Sequence, residues 1–107
     1  MEIIQYHIVL VNLDKSFGSE MRKTRPCVVI SPDEMNRYLT TIVVAPMTTS
    51  SRIYPTRVRV RHNNKEGWIV VDQVRTISRK RITKVVGKLS TLEVRKLKNV
   101  IQETFVE

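Results

Sequence analysis

The β-branched residues of this chain are gathered into short apolar runs that recur about every ten residues. Runs of this length are too short for the helices of a globular protein and are typical of strands. Because many short strands separated by turn signals usually form a sandwich or a barrel, this spacing constrains the fold more than any other feature. Pro46 is expected to end the third strand and to open a polar loop over residues 47–55. The predicted strands cover residues 6–13, 27–30, 40–45, 56–61, 68–71 and 85–89, with a further extended segment over 72–77.

Residues 56–61 alternate strictly between polar and apolar side chains. A period of two places Arg57, Arg59 and Arg61 on one face of a strand, and the two intervening valines on the other. The polar residues at 63–67 then predict a hairpin turn into the next strand. This hairpin is expected to present three guanidinium groups on one face of the sheet.

Two helices complete the predicted fold. Pro32 at the first helical position, followed by two acidic residues, indicates a short helix that ends within residues 36–39. Ser90 and Glu93 have the spacing of a capping box at the start of a C-terminal helix. We therefore predict a mainly β protein, a small and strongly bent barrel in one domain over residues 1–107, with a short internal helix and a C-terminal helix. The apolar stripe by which the last helix would dock on the sheet is Val94, Leu97, Val100, Ile101 and Phe105.

The composition excludes several classes of protein. Cys27 is the only cysteine, so an intramolecular disulfide and a disulfide-stapled scaffold are ruled out. The first residues lack the basic and apolar segments of a signal peptide. No apolar run approaches the roughly 20 residues that cross a bilayer. We expect a cytoplasmic protein without a membrane partner.

The excess positive charge is confined to one third of the sequence. The chain has 19 Lys and Arg residues against 10 Asp and Glu residues, a net charge of +9. Residues 52–88 hold eleven of the basic residues and two acidic ones, whereas the rest of the chain holds eight of each. This pattern indicates a polyanionic partner, either nucleic acid or an acidic peptide, and its plain alternative is a solvated basic sheet face. Phe17 and Tyr54, in predicted loops, are placed to stack on unpaired bases, whereas Trp68 is expected in the core.

The spacing of candidate ligands indicates no metal site. One cysteine and two separated histidines do not form a ligand pattern, and no glycine-rich phosphate loop is present. His7 lies in the first predicted strand and His62 lies beside the hairpin turn. We therefore expect no cofactor or metal, and we interpret both histidines as structural.

A series of motifs in a fixed order carries a family resemblance. Gly18-Ser19-Glu20 precedes a basic loop that ends in Arg25-Pro26 before a valine-rich strand. Further motifs match elsewhere in the sequence. Over nearly its whole length, the chain therefore resembles the MazF/PemK family of toxin endoribonucleases from toxin–antitoxin pairs. The chain departs from the family at Lys15, where proline is usual. The other matching blocks are residues 10–14, 45–49, 54–55, 71–77 and 87–89.

The resemblance implies a small SH3-like barrel of the CcdB/PemK type that works as a homodimer. It also implies a sequence-biased endoribonuclease, an mRNA interferase, that cleaves single-stranded RNA without a metal. By motif, the catalytic pair falls on Arg25 and Thr48, with Glu20 as a supporting residue. An acidic cognate antitoxin that neutralises the toxin is implied as well. Together with the charge distribution, the resemblance implies RNA contacts at Phe17, Lys23, Asn36, Arg52, Tyr54, Arg57, Arg59, Arg61, Gln73, Arg75, Arg79 and Lys80.

These residue types suit a cleavage in which the ribose 2′-hydroxyl attacks the adjacent phosphorus. Negative charge then grows on the non-bridging oxygens, and a guanidinium is well shaped to hold it. We expect Arg25 to stabilise this charge rather than to transfer protons, because an arginine pKa above about 12 disfavours proton transfer near neutrality. Thr48 would donate a hydrogen bond to the same oxygens. Glu20 would orient Arg25 or accept the proton of the 2′-hydroxyl.

Two other functions remain open on the sequence. A non-enzymatic toxin on the same fold would poison DNA gyrase, but the retention of Arg25 and Thr48 in their motifs argues against it. A plain RNA-binding barrel is supported only by the charge. Cleavage of RNA in excess EDTA distinguishes the endoribonuclease from both.

Overall fold

The computed structural model of the chain describes residues 1–13, 24–50 and 54–106. Seven strands and two α-helices lie within these ranges, and neither helix is long and apolar enough to cross a membrane. The strands are β1 (His7–Asn12), β2 (Thr24–Val29), β3 (Thr41–Thr48), β4 (Arg57–His62), β5 (Lys65–Val70), β6 (Arg75–Ser78) and β7 (Ile82–Lys88). The helices are α1 (Asp33–Tyr38) and α2 (Thr91–Ile101), with 3-10 turns at Val71–Gln73 and Arg79–Arg81 and a π-helical turn at Gln102–Val106.

The strands form one antiparallel sheet in the order β4-β5-β3-β2-β1-β7. One edge of β3 pairs with β2, whereas its other edge pairs with β6 over residues 41–44 and with β5 at Met47 and Thr48. The two ends of the strand order approach each other, since a Cβ atom on Gly87 of β7 would lie 2.7 Å from Cε1 of His62 in β4. The sheet is therefore curled into an open barrel. The predicted mainly β fold with an internal and a C-terminal helix is confirmed.

β3 continues through Pro46, where the sequence predicted its end. Pro46 pairs with Cys27 of β2. On the opposite edge it lies between residue 44, the last to pair with β6, and Met47, which pairs with β5. The missing N–H of this proline falls where β3 changes partner, so it interrupts neither ladder. The loop predicted over 47–55 was therefore too long, and Met47 is buried in the sheet.

The turn between β4 and β5 is shorter than the predicted segment 63–67. It consists of Asn63 and Asn64, whose φ angles are both positive, at 52° and 60°. This is the backbone of a type I′ hairpin turn, which asparagine tolerates better than most residues. His62 consequently pairs with Lys65, and the residues from Lys65 onward belong to β5.

Four other features of the elements differ from the prediction. β2 starts at Thr24, three residues early, and Pro32 is the N-cap of α1 rather than its first residue. The extended segment predicted over 72–77 is interrupted by the 3-10 turn before β6. β7 starts at Ile82 instead of residue 85, directly after the second 3-10 turn. Each turn is only three residues long, so apolar periodicity could not locate either of them.

Two buried clusters lie on opposite faces of the sheet. The cluster on the side of α2 contains Val28, Ala45 and Leu97. The cluster on the far side contains Cys27 and Val44. Neighbouring residues of β2 and β3 thus point to opposite faces, as the pleat of a strand requires.

The capping box of α2 is confirmed. Ser90 Oγ accepts a hydrogen bond from the Glu93 N–H at 3.1 Å, and Glu93 Oε1 accepts one from the Ser90 N–H at 2.9 Å. Leu97 is fully buried against the sheet, as the apolar stripe predicts. Phe105, predicted in the same stripe, is 55% exposed. The π-helical turn Gln102–Val106 changes the angular spacing after α2 and turns this ring away from the core.

Candidate functional site

Arg25 on β2 and Thr48 on β3 line the same pocket. The two strands are neighbours whose ladder ends at the Cys27–Pro46 pair, and beyond it β3 pairs with β5. Because side chains alternate along a strand, Arg25 lies on the face of Cys27, away from α2. The two residues that the resemblance singled out as a catalytic pair therefore border one pocket.

A row of residues runs from Thr48 over the next two strands. Thr48 pairs with Trp68 of β5, and Trp68 pairs with Arg59 of β4. The guanidinium carbon of Arg59 lies 5.1 Å from the centre of the Trp68 ring, and the Arg59 side chain is 61% exposed. Thr48, Trp68 and Arg59 therefore form a line across three adjacent strands, which we call the cross-strand row, and Arg25 on β2 borders the pocket that Thr48 also lines.

A pocket of about 390 Å³ opens beside Arg25 and Thr48. Its walls come from the ends of β2 and β3 and from the β4–β5 hairpin. Besides Arg25 and Thr48, its lining residues include His62, Lys65 and Glu66. A concave site with convergent cations and a few polar groups suits an anionic ligand such as a phosphodiester.

The hydroxyl of Thr48 is engaged in local hydrogen bonds. It donates to the carbonyl of Ser50 at 3.1 Å and accepts from the N–H of Ser50 at 3.2 Å. Both bonds are exposed to solvent, so a ligand oxygen competes with them at little cost. Thr48 can donate to a bound phosphate after releasing the Ser50 carbonyl.

Arg57 is held inside the protein more firmly than the alternating pattern predicted. Its guanidinium forms an ion pair with Asp72 and lies 5.4 Å from the centre of the Tyr54 ring. The Arg57 side chain is only 15% exposed. Arg57 therefore has less freedom to bind a phosphate than Arg59, whereas Tyr54 is exposed and accessible to a base.

Asn36 is buried and hydrogen-bonded, which corrects its prediction as an RNA contact. Its side chain is 1% exposed. The Nδ2 atom donates to the Ser31 carbonyl at 2.9 Å, and Oδ1 accepts from Ser31 Oγ at 2.6 Å. The side chain therefore anchors α1 and cannot reach a base. With Arg79, Asn36 borders a second hollow of about 290 Å³, which shares no lining residue with the pocket at Arg25.

The described basic residues of segment 52–88 do not all line one hollow. Lys65 lines the pocket, whereas Arg79 lines the second hollow. The other expected RNA contacts in the described residues are exposed: Arg61 on β4, Gln73 in the first 3-10 turn, Arg75 on β6 and Lys80 in the second 3-10 turn.

Four of the expected site residues lie outside the described ranges. They are Glu20, Phe17, Lys23 and Arg52. The supporting role of Glu20 and the RNA contacts of the other three residues stay predictions.

Cys27 lies directly behind the candidate pair. Burial raises the pKa of its thiol to about 11, and the positive charges of Arg25 and Arg75 offset part of this effect. Both guanidinium groups therefore lie near the same thiol, on one side of the sheet. With its pKa raised, this thiol stays protonated near neutrality and is not a nucleophile.

Two residues near the candidate site differ from their sequence-based interpretation. Trp68, expected in the core, is half-buried and lies beneath Arg59. His62, interpreted as structural, packs against Gly87 and is also among the residues that line the pocket. The signal for Trp68 was the hairpin register, because a two-residue turn at 63–64 pairs Trp68 with Arg59.

Comparisons with known proteins identify relatives of this chain. The chain is 29% identical over 100 residues to an endoribonuclease MazF of Staphylococcus saprophyticus, which covers 88% of this chain and 83% of that protein. It is 34% identical over 71 residues to an endoribonuclease toxin MazF of Escherichia coli K12, which covers 66% of this chain and 64% of that protein.

The fold is also found among solved structures. An endoribonuclease in complex with its cognate antitoxin, from a mycobacterial species, superimposes with a TM-score of 0.82 at 16% identity, over 97% of this chain and 95% of that chain. This likeness confirms the predicted barrel type. Residues 4–105 match the family described as PemK-like, MazF-like toxin of type II toxin–antitoxin system. Because this match spans nearly the whole chain, the protein belongs to the PemK-like, MazF-like toxin family.

Proposed function

We propose that the protein is an endoribonuclease toxin that cleaves single-stranded RNA without a metal ion. The observation that carries this proposal is that Arg25 and Thr48 line the same pocket. Two relatives named as MazF endoribonucleases support RNA cleavage as the reaction. The fold alone carries many functions, so the argument rests on this site.

The proposed reaction is attack of the ribose 2′-hydroxyl on the adjacent phosphorus, which releases the 5′-oxygen of the next nucleotide. Arg25 is exposed, so its guanidinium can donate two hydrogen bonds to the non-bridging oxygens, where charge develops. The Thr48 hydroxyl adds a neutral donor on the facing strand. Glu20 orients Arg25 or accepts the 2′-hydroxyl proton. The products are a 2′,3′-cyclic phosphate and a 5′-hydroxyl.

The cross-strand row supplies the path for the RNA on either side of the scissile phosphate. Arg59 is exposed at the far end of the row and attracts a neighbouring phosphate. Trp68 beneath it offers a ring face on which a base stacks when Arg59 swings aside. Tyr54 provides a second exposed ring. These contacts tolerate any base, so they position the strand more than they read its sequence.

An acidic antitoxin is the proposed regulator in the cytoplasm. The net charge of +9 attracts either polyanion, so antitoxin and RNA compete for overlapping surface and both bind more weakly as salt rises. The mycobacterial endoribonuclease with the same fold was solved with its cognate antitoxin, which supports this partner class.

Incubation of the purified protein with a single-stranded RNA in excess EDTA tests the proposal. We expect cleavage that leaves cyclic phosphate and 5′-hydroxyl ends, and loss of cleavage when equimolar antitoxin is added. Binding without cleavage, with or without divalent ions, would instead select a plain RNA-binding barrel. Inhibition of DNA gyrase without RNA cleavage would select the gyrase-poisoning toxin.

A further inference from the structure

Arg59 covers the ring of Trp68 on the face of the sheet that lies away from α2. Val58 and Val60 belong to the cluster on the side of α2, so Arg59 between them points to the opposite face. Trp68 pairs with Arg59 across the ladder between β4 and β5 and shares that face. The guanidinium carbon lies 5.1 Å from the centre of the ring, a cation–π contact. A base that stacks on this side of the ring has to displace the guanidinium.

Glu66 holds the guanidinium in this position. It lies two residues before Trp68 on β5 and therefore on the same face of the sheet. Its partner in the strand register is Arg61, yet one of its carboxylate oxygens lies 3.3 Å from Nη2 of Arg59, the diagonal neighbour. The side chains of Arg59 and Glu66 are 61% and 55% exposed, so solvent reaches both members of the ion pair.

An exposed ion pair of this kind is easily exchanged, because water and salt screen its two charges. A phosphate of RNA is also anionic, and it can accept two hydrogen bonds from a guanidinium. Stacking of a base on an aromatic ring stabilises a complex more than an exposed cation–π contact does. A single strand of RNA therefore offers Arg59 a substitute for Glu66, and it offers Trp68 a substitute for Arg59.

We propose that Glu66 is a positioning residue that keeps Arg59 over Trp68 until single-stranded RNA binds. This inference rests on the proposed endoribonuclease function. A phosphate of the strand replaces the Glu66 carboxylate at Arg59, and an unpaired base replaces Arg59 on the ring. Because Trp68 pairs with Thr48, this base belongs to a nucleotide close to the phosphate bound beside Thr48. Bases within a duplex are not free to stack on the ring, so the exchange selects single strands.

The first test follows the fluorescence of Trp68, the only tryptophan of the chain. The probe is a short single-stranded RNA with methylated 2′-oxygens, which cannot be cut because its 2′-hydroxyls are blocked. The control is a strand with the same number of phosphates and no bases. At saturation we expect the probe to quench the emission strongly and the abasic strand to leave most of it. Equal quenching by both strands, or quenching by neither, would contradict stacking on Trp68.

The second test compares the affinity of this probe for Glu66→Gln and Glu34→Gln. Each change removes one negative charge from an exposed side chain, and Glu34 lies on α1, outside the pocket lining. We expect Glu66→Gln to bind about two- to fivefold more tightly than the wild type, because Arg59 is no longer held by a carboxylate. Glu34→Gln should bind within about 1.5-fold of the wild type at physiological salt, which screens distant charges.

The same comparison in an Arg59→Gln background separates the release of Arg59 from plain repulsion between Glu66 and RNA. Without the guanidinium, Glu66→Gln should change the affinity by less than about 1.5-fold. An equal gain in both backgrounds would mean that Glu66 only repels RNA, which would overturn the proposal. A wild type that cuts RNA without a change in Trp68 emission would overturn it as well. A wild type whose emission the probe quenches but that cuts no RNA would contradict the proposed function instead, so the two failures are distinguishable.

Discussion

Asn36 and Ser31 form a buried polar pair that joins α1 to β3. Ser31 Oγ donates to Asn36 Oδ1 and also accepts from the N–H of Val43 at 3.1 Å, so each polar atom of the pair has a partner. A buried network that is fully paired stabilises a protein, whereas removing one member leaves the others desolvated and unpaired. The role of Asn36 is therefore structural.

We expect Asn36→Ala to lower the free energy of unfolding by about 2–3 kcal/mol and to leave RNA affinity unchanged. The matched control is Glu34→Ala in the same helix, where the side chain is exposed and the change should stay within about 0.5 kcal/mol. Urea denaturation and RNA titration measure both quantities. A stable Asn36→Ala protein with weakened RNA binding would restore Asn36 as an RNA contact.

The raised pKa of the Cys27 thiol makes the free energy of unfolding fall as the pH rises in the alkaline range. Its folded pKa of about 11 lies above that of an unfolded thiol, so the folded state keeps its proton where the unfolded state loses it. The stabilisation is therefore complete below about pH 8.5 and is lost as the pH rises to 11, by on the order of 2–3 kcal/mol. Urea denaturation of wild type and Cys27→Ala across this range measures the difference. Parallel curves for the two proteins would contradict the shift.

At the scale of elements, Glu93 couples the start of α2 to the edge of the sheet. One carboxylate oxygen accepts from the Ser90 N–H, and the other accepts from the Arg61 N–H of β4. β4 is the first strand in the sheet order, so its outer N–H groups have no neighbouring strand. Glu93 thus satisfies a helix end and a strand edge with one side chain.

We expect Glu93→Ala to cost about 1–2 kcal/mol of unfolding free energy, and Ser90→Ala about 1 kcal/mol. Because the two side chains form one capping box, the double variant should lose less than the sum. Glu103→Ala, an exposed acid beyond α2, is the control and should change little. Urea denaturation of the four proteins measures the coupling, and strict additivity would contradict it.

Elements were predictable from the sequence where their signal is local. The alternation over 56–61 and the Ser90–Glu93 spacing each need only a few consecutive residues, and both are confirmed. Pro46 misled the prediction because its effect depends on which strand pairs on each side of it. The two 3-10 turns have no apolar period, so nothing local marks them.

The candidate site was predictable in part, for the same reason. Arg25 and Thr48 were found by resemblance, and both line one pocket. Asn36 was misassigned because its burial depends on α1 packing against β3. The contact of His62 with Gly87 depends on the closure of the sheet, which no single segment encodes.

At the scale of the whole molecule, we expect two copies to associate. The family resemblance implies a homodimer, and the chain exposes large apolar side chains that a second copy would cover, among them Tyr38 at 81% exposure. Light scattering at micromolar concentration should give about twice the 12.5 kDa mass of one chain. A mass that stays at 12.5 kDa would contradict the dimer.

The central claim is that Arg25 stabilises charge in the transition state. It is one of 19 basic residues, so Arg25→Ala should weaken RNA binding by no more than about one phosphate contact. The rate should fall by about 10²–10³ or more, because an aligned charged donor is lost. The cleavage rate should fall less for Thr48→Ala, because the hydroxyl group of Thr48 is a neutral donor. Arg95→Ala, an exposed arginine of α2, removes the same charge away from the pocket and should cut at the wild-type rate.

The most direct measurement is single-turnover cleavage of a short single-stranded RNA, at saturating enzyme and in excess EDTA, with a thermal melt of each variant. The account predicts that Arg25→Ala folds, binds RNA and loses at least about a hundredfold in rate relative to wild type and Arg95→Ala. A folded Arg25→Ala protein that cuts within tenfold of the wild-type rate would contradict it.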